Sequence, residues 1–109
     1  MKHDQVFTPD YIVQKMLDDI QYYGENLRKT IWEPSFGDGN FLVEIVARIL
    51  EYAKDESEAH ELLDNVMGCE IDPEMYVKAL ERLDSLVAAK GYSKHNWYLL
   101  ENSDALRMR

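Results

Sequence analysis

Apolar residues recur every three or four positions in three stretches of the chain, and each stretch predicts an amphipathic helix. The first stretch contains Tyr11, Ile12, Met16, Leu17 and Ile20, the second Phe41, Leu42, Ile45, Val46, Ile49 and Leu50, and the third Tyr76, Leu80, Leu83 and Val87. Ahead of the first helix, Thr8 is suited to the N-cap and Pro9 to the first helical position. Gly24 is suited to a left-handed C-cap, so this helix is expected to end near Tyr23.

Three short apolar runs predict buried strands. They are Thr30–Glu33, residues 66–71 and residues 97–100. Residues 25–29 are predicted to form a polar connector. The charged segment 53–65 is predicted as either an extension of the second helix or a separate short helix. A helix followed by β-α-β-α-β predicts an α/β fold with a parallel three-stranded sheet, because crossovers between parallel strands are right-handed.

The carboxyl ends of the predicted strands carry acidic residues next to a glycine turn. In open parallel sheets, ligands bind outside these ends. The acids are Glu33, Glu70, Asp72 and Asp104. Gly37 and Gly39 lie between the first strand and its helix, where a glycine turn lets backbone N–H groups approach a ligand closely. The pattern therefore predicts a nucleotide pocket, with Glu70 as the candidate partner of a ribose diol.

Two features limit the nucleotide assignment. Leu42 stands where a dinucleotide fingerprint would have its third glycine, and Glu70 comes later than the usual spacing of about 20 residues. A nicotinamide-dependent oxidoreductase is therefore a weak alternative. Asp72 precedes Pro73 and is better explained as the N-cap of the third helix than as a ligand.

Charge and cysteine content restrict the partners and the compartment. The net charge of −9, from 21 acidic and 12 basic residues, opposes tight binding of a phosphate backbone by this chain alone. A single cysteine, Cys69, excludes an intramolecular disulfide and is expected to be a buried thiol. With no signal sequence and no apolar run long enough to span a membrane, we expect a cytoplasmic protein without membrane contacts.

The histidines and tryptophans are assigned ordinary roles. His3, His60 and His95 lack the spacing of a metal site and are interpreted as surface residues. Trp32 and Trp97 lie on predicted strands and are expected in the core.

Four motifs follow one another in a specific order. They are Phe7-Thr8-Pro9, the stretch 33–42 (EPSFGDGNFL), the stretch 68–73 (GCEIDP) and the stretch 103–106 (SDAL). Together they resemble the S-adenosylmethionine-binding part of adenine-N6 DNA methyltransferases of the restriction–modification type, over nearly the whole chain. The resemblance implies a partial Rossmann-like methyltransferase fold. Phe36 departs from the family pattern, since many relatives have a small residue or cysteine there.

The resemblance also implies how S-adenosylmethionine would be bound. Thr8 and Pro9 would lie against its methionine end. Glu33, Pro34, Gly37 and Gly39 would cradle it through backbone and carboxylate contacts. Glu70 would bind the ribose diol, Ile71 would pack on the adenine face, and Asp104 would accept a hydrogen bond from the adenine amino group.

The family's catalytic loop, Asn/Asp-Pro-Pro-Tyr/Phe, has no counterpart, because no proline follows Pro73. We therefore expect one incomplete cofactor-binding domain over residues 1–109, with a cap helix in 1–24 and a β-α-β-α-β half-sheet in 30–109. Alone it is expected not to methylate, and DNA would be reached only through missing regions or a second subunit. The alternative is a non-catalytic remnant that self-associates, or binds a partner chain, through the unpaired edge of Thr30–Glu33.

Overall fold

The computed structural model describes residues 9–104, which form one parallel sheet and its flanking helices. The helices are α1 (Asp10–Asp19), a 3₁₀ helix (Gly24–Arg28), α2 (Asn40–Tyr52), α3 (Glu56–Leu63) and α4 (Pro73–Ala89). The strands are β1 (Ile31–Glu33), β2 (Val66–Cys69) and β3 (Leu100–Glu101). Within this part of the chain, no helix is both long enough and apolar enough to cross a membrane.

The three strands form a parallel sheet in the order β1-β2-β3, as the alternation of strands and helices predicted. Ile31 pairs with Val66 and Glu33 with Gly68, while Gly68 also pairs with Leu100 on the other side. Helices α2 and α4, which make the two crossovers, pack against each other, and α1 packs against α2. The α/β fold expected from the sequence is therefore confirmed.

The core lies between the sheet and these helices, and it contains most of the apolar residues that define the helical periodicity. Its most deeply buried members include Val13, Leu17, Leu42, Val46, Ile49, Leu83 and Val87. Cys69 is buried, as predicted, and Trp97 is also in the core.

Trp32 does not belong to the core, so the prediction for this residue is wrong. Successive side chains of a strand point to opposite faces of the sheet. Ile31 packs against the core cluster, whereas Trp32 points to the opposite face and is 42% exposed. Its neighbour across the sheet, Met67, is half-buried.

The boundaries of the first helix differ from the prediction. Pro9 is the N-cap residue, with an extended ψ of 152°, and not the first helical residue. Thr8 lies outside the described residues. The helix ends at Asp19 and not near Tyr23, because Gln21 adopts a left-handed conformation with φ of 59°. The predicted connector that follows is a 3₁₀ helix, which buries Leu27.

The structure also decides between the alternatives for segment 53–65 and corrects the bounds of the third strand. The charged segment 53–65 forms a separate helix, α3, whose first turn is capped by Asp55 through a hydrogen bond from Glu58 N at 2.8 Å. The third strand is shorter than predicted and begins only at Leu100. Leu100 N donates to Trp97 O at 3.1 Å, and this turn occupies the residues that were expected to extend the strand.

Candidate functional site at the carboxyl edge of the sheet

The turn between β1 and α2 depends on two glycines in left-handed conformations. Gly37 has a φ of 57° and Gly39 a φ of 97°. A Cβ at Gly39 would lie 3.1 Å from the Cβ of Ala79, so α4 also packs closely against the turn. Gly39 is the N-cap residue of α2, and no side chain among the described residues caps the helix. The backbone N–H groups of the first turn of α2 therefore lie at the edge of the sheet, and no described side chain accepts a hydrogen bond from them.

Phe36 is buried beneath this turn, and β2 accommodates it. Phe36 N donates to Cys69 O at 3.2 Å. A Cβ at Gly68 would lie 3.1 Å from the Phe36 ring and only 2.4 Å from Glu33 O. The absence of a side chain at position 68 thus leaves space for the large side chain of Phe36.

Glu70 connects the glycine turn with the loop after β2. Its Oε1 accepts a hydrogen bond from Gly37 N at 2.7 Å, and its Oε2 accepts one from Asp72 N at 3.0 Å. The residue is only 6% exposed. A carboxylate has about four acceptor positions, so each oxygen can still accept one further hydrogen bond.

Ile71 and Asp72, which are neighbours in the loop between β2 and α4, have separate roles. Asp72 caps α4, accepting hydrogen bonds from Glu74 N at 2.9 Å and from Met75 N at 3.4 Å, as the sequence predicted. Ile71 is 65% exposed, although it is a large apolar residue. An exposed isoleucine thus lies directly beside the buried carboxylate of Glu70.

Glu33 ends β1 at the same edge and is half-buried. Burial raises the pKa of its carboxyl group, because it removes water from the charged form. Within residues 9–104, no group donates a hydrogen bond to this carboxylate. Pro34, the next residue, accepts a hydrogen bond from Cys69 Sγ through its carbonyl oxygen at 3.0 Å. Glu33 is therefore an acid that lacks a protein partner in the described chain.

The loop after β3 is joined to the loop after β2 by a side chain that the sequence analysis did not select. Asn102 Nδ2 donates to Glu70 O at 2.7 Å and to Ile71 O at 3.2 Å. Asp104 is half-buried. Burial of the Cys69 thiol is the main cause of its raised pKa, and the negative charge of Asp104 raises this pKa further. The sequence signal that could have identified Asn102 is its position directly after a strand, at the edge of the sheet where ligands bind.

The structure thus brings most of the predicted site residues to one edge of the sheet. They are Glu33, Pro34, Gly37, Gly39, Glu70, Ile71 and Asp104. Pro9 is the N-cap of α1, and hydrogen bonds from Arg48 to Gln14 and Asp18 fasten this helix to α2. No hydrogen bond in the described structure joins Pro9 to the glycine turn.

His95 is not a surface residue, so the prediction is wrong for this histidine, while His3 lies outside the described residues. His95 is only 7% exposed, and its ring stacks on that of His60 with centroids 5.0 Å apart. The two Nδ1 atoms are 2.7 Å apart, and His95 Nε2 lies 3.1 Å from Asp64 Oδ1. Burial lowers the pKa of His95, and His60 adds to this effect while Asp64 opposes it. Among the residues described, no group of three or more metal-binding side chains is arranged to hold a metal ion.

The fold and the carboxyl-edge site together define a Rossmann-like α/β unit, and comparisons with known proteins are consistent with this class. No family model matches the chain. Over 106 residues the chain is 32% identical to the type II methyltransferase M.BstVI of Geobacillus stearothermophilus; the match covers 89% of this chain and 19% of that protein. A crystal structure from Vibrio vulnificus YJ016, of a protein assigned as a modification subunit of a type I restriction enzyme, matches with a TM-score of 0.66.

The structural match has 20% sequence identity and covers 98% of this chain but 21% of the other, so it supports the fold. The chain therefore spans about a fifth of the length of both proteins. These comparisons confirm the resemblance that the motifs predicted: the chain is similar to one part of the restriction–modification methyltransferases.

Proposed function

We propose that this chain is the S-adenosylmethionine-binding portion of a DNA adenine-N6 methyltransferase of the restriction–modification type. The observation that carries the proposal is the bridge made by Glu70, which accepts hydrogen bonds from both Gly37 N and Asp72 N. A buried carboxylate held by two backbone donors, beside a glycine turn, is an arrangement suited to a nucleoside.

The adenosine part of the cofactor would be bound by the loops after β2 and β3. The vicinal diol of a ribose donates two hydrogen bonds, and Glu70 has one free acceptor position on each oxygen. The exposed side chain of Ile71 would cover one face of the adenine ring, because the ring is apolar on its faces. Asp104 would accept a hydrogen bond from the adenine amino group.

The methionine part would be bound by the turn between β1 and α2. The uncapped first turn of α2 presents backbone N–H groups and the positive end of the helix dipole, which suit the methionine carboxylate. The unpartnered carboxylate of Glu33 would be stabilised by the positively charged ammonium group. Thr8 and Pro9 are assigned to this end by resemblance alone.

S-adenosylmethionine supplies an activated methyl group when it is bound, and the residues of this chain would bind and orient it. In the family's reaction, the adenine amino nitrogen attacks that methyl group in line, which requires a second set of residues to hold the flipped base. The sequence contains no Asn-Pro-Pro-Tyr loop to hold the base. With a net charge of −9, contact with DNA is assigned to regions or subunits beyond this sequence.

The proposal is tested by incubating the pure chain with unmethylated DNA and S-adenosylmethionine labelled on its methyl group. We expect labelled cofactor to be retained by the protein in equilibrium dialysis, and no label to appear in the DNA. Unlabelled S-adenosylhomocysteine should displace the bound label. Methylation of the DNA would show that the chain has a catalytic site after all. A chain that retains no label would disprove the cofactor site.

A second candidate function is an interaction module, which the exposed edge of the sheet favours. β1 is an edge strand in the described sheet, Trp32 is 42% exposed, and Ile20 on the preceding segment is 63% exposed. Ile20 also borders a cleft of about 220 Å³ that Thr30 and Ile31 line. This candidate predicts self-association or a partner chain at β1, which light scattering would detect. A chain that remains monomeric at high concentration, and whose Trp32→Ser variant behaves identically, would count against it.

A further inference from the structure

One side chain fastens the loop after β3 to the loop after β2. The amide nitrogen of Asn102 lies 2.7 Å from Glu70 O and 3.2 Å from Ile71 O, and a primary amide has two N–H donors to offer them. The backbone reinforces this connection, because Glu70 N donates to Glu101 O at 2.9 Å. Three hydrogen bonds therefore join residues 70–71, directly after β2, to residues 101–102 at the end of β3.

The two carbonyl groups that Asn102 binds belong to the residues assigned to the ribose and the adenine. The backbone direction at Glu70 and Ile71 determines where the carboxylate and the exposed apolar side chain lie. Asp104, assigned to the adenine amino group, follows Asn102 by two residues. The Asn102 amide thus binds the backbone at two of the three residues that would contact adenosine and lies two residues before the third.

From this geometry we infer that Asn102 is a positioning residue for the adenosine half of the cofactor site. It orients Glu70, Ile71 and Asp104 and does not itself contact the reacting methyl group. This inference rests on the proposed function. It concerns adenosine because Asn102 binds neither the turn Gly37–Gly39 nor Glu33, which are assigned to the methionine half.

The Asn102→Ala variant removes both donors and leaves the rest of the site in place. Asn26→Ala is a matched control, because Asn26 Nδ2 also donates to a backbone carbonyl, Gln21 O at 2.9 Å, outside the site. We expect Asn102→Ala to weaken binding of S-adenosylhomocysteine by about 10- to 100-fold, the range seen when outer hydrogen bonds that orient metal ligands are removed. Asn26→Ala should bind as the wild-type chain does.

A second readout separates positioning from a general loss of structure. S-inosylhomocysteine differs from S-adenosylhomocysteine in having an oxygen in place of the amino group that Asp104 would recognise. The wild-type chain should prefer the adenine compound, and Asn102→Ala should lose most of this preference. A variant that is only less stable would bind both compounds less well but keep the same ratio.

Circular dichroism and thermal unfolding establish that each variant is folded, and Asn102→Ser replaces the alanine variant if the latter does not fold. If the wild-type chain binds neither compound, the proposed function fails and this inference fails with it. If the wild-type chain binds and discriminates, while the Asn102 variant keeps the same affinity and the same ratio, the proposed function stands and the positioning role is disproved.

Discussion

Replacing Glu70 with glutamine tests whether this carboxylate holds the carboxyl edge together. The wild-type side chain accepts hydrogen bonds from two backbone groups, Gly37 N at 2.7 Å and Asp72 N at 3.0 Å. Glutamine has one acceptor oxygen, so it can satisfy one of these N–H groups and turns its own NH₂ group towards the other. A hydrogen bond to a charged group contributes about 1.5–3 kcal/mol to stability. We therefore expect Glu70→Gln to lower the free energy of unfolding by that amount.

Such a loss is large for a chain of this length, since a domain is typically stable by about 5–15 kcal/mol. It should lower the unfolding temperature by on the order of 10 °C. The measurement is urea unfolding followed by circular dichroism, with Glu101→Gln as the control. Glu101 is an exposed glutamate on the neighbouring strand, and its substitution should change stability by less than about 0.5 kcal/mol. If Glu70→Gln is as stable as this control, the bridge does not stabilise the fold.

Three further predictions concern packing and pH. A Cβ at Gly68 would lie 2.4 Å from the backbone oxygen of Glu33, so Gly68→Ala should lower the free energy of unfolding by about 1–3 kcal/mol in urea titrations; wild-type stability would refute this close approach. Burial raises the pKa of Glu33 in the native state above its value of about 4.3 in the unfolded chain. Between these two pKa values the native state binds more protons than the unfolded chain, so the free energy of unfolding falls as pH rises through this range. Glu33→Gln should therefore be more stable than wild type at pH 7, within the range of about 0.5–2 kcal/mol for stabilising substitutions, and the gap should close as pH falls below about 4.3; a gap that does not change with pH would contradict the assignment. The pKa of His95 is lowered mainly by burial, so the unfolded chain binds more protons and stability is lost as pH falls below about 6.5. Unfolding curves of His95→Gln should show a weaker loss between pH 7 and pH 5, and curves parallel to wild type would exclude this role of His95.

The order of strands and helices could be predicted because it depends on local sequence. Apolar periodicity defined α2 and α4, and Asp72 before Pro73 marked the start of α4. The parallel sheet followed from the alternation, since a helix between two strands favours a right-handed crossover. The glycine turn could be located because few other residues adopt the positive φ found at Gly37 and Gly39.

The features that were missed depend on contacts between distant parts of the chain. His95 lies in a polar stretch, and its burial depends on contacts with His60 and Asp64, which lie 35 and 31 residues earlier in the chain, and with the ring of Trp97. Trp32 has an apolar side chain on a predicted strand, but its exposure depends on which face of the sheet the rest of the chain covers. Asn102 has no motif of its own, and its importance became visible only when its hydrogen bonds to Glu70 and Ile71 were known.

The central claim is that the carboxyl edge of this sheet binds S-adenosylmethionine, and calorimetric titration tests it most directly. Wild-type chain titrated with S-adenosylmethionine should give saturable heat for one site, while NAD should give none. Glu70→Gln should lose most of the heat, and Glu101→Gln should keep it. No saturable heat from folded wild-type chain, or equal binding of NAD, would contradict the account.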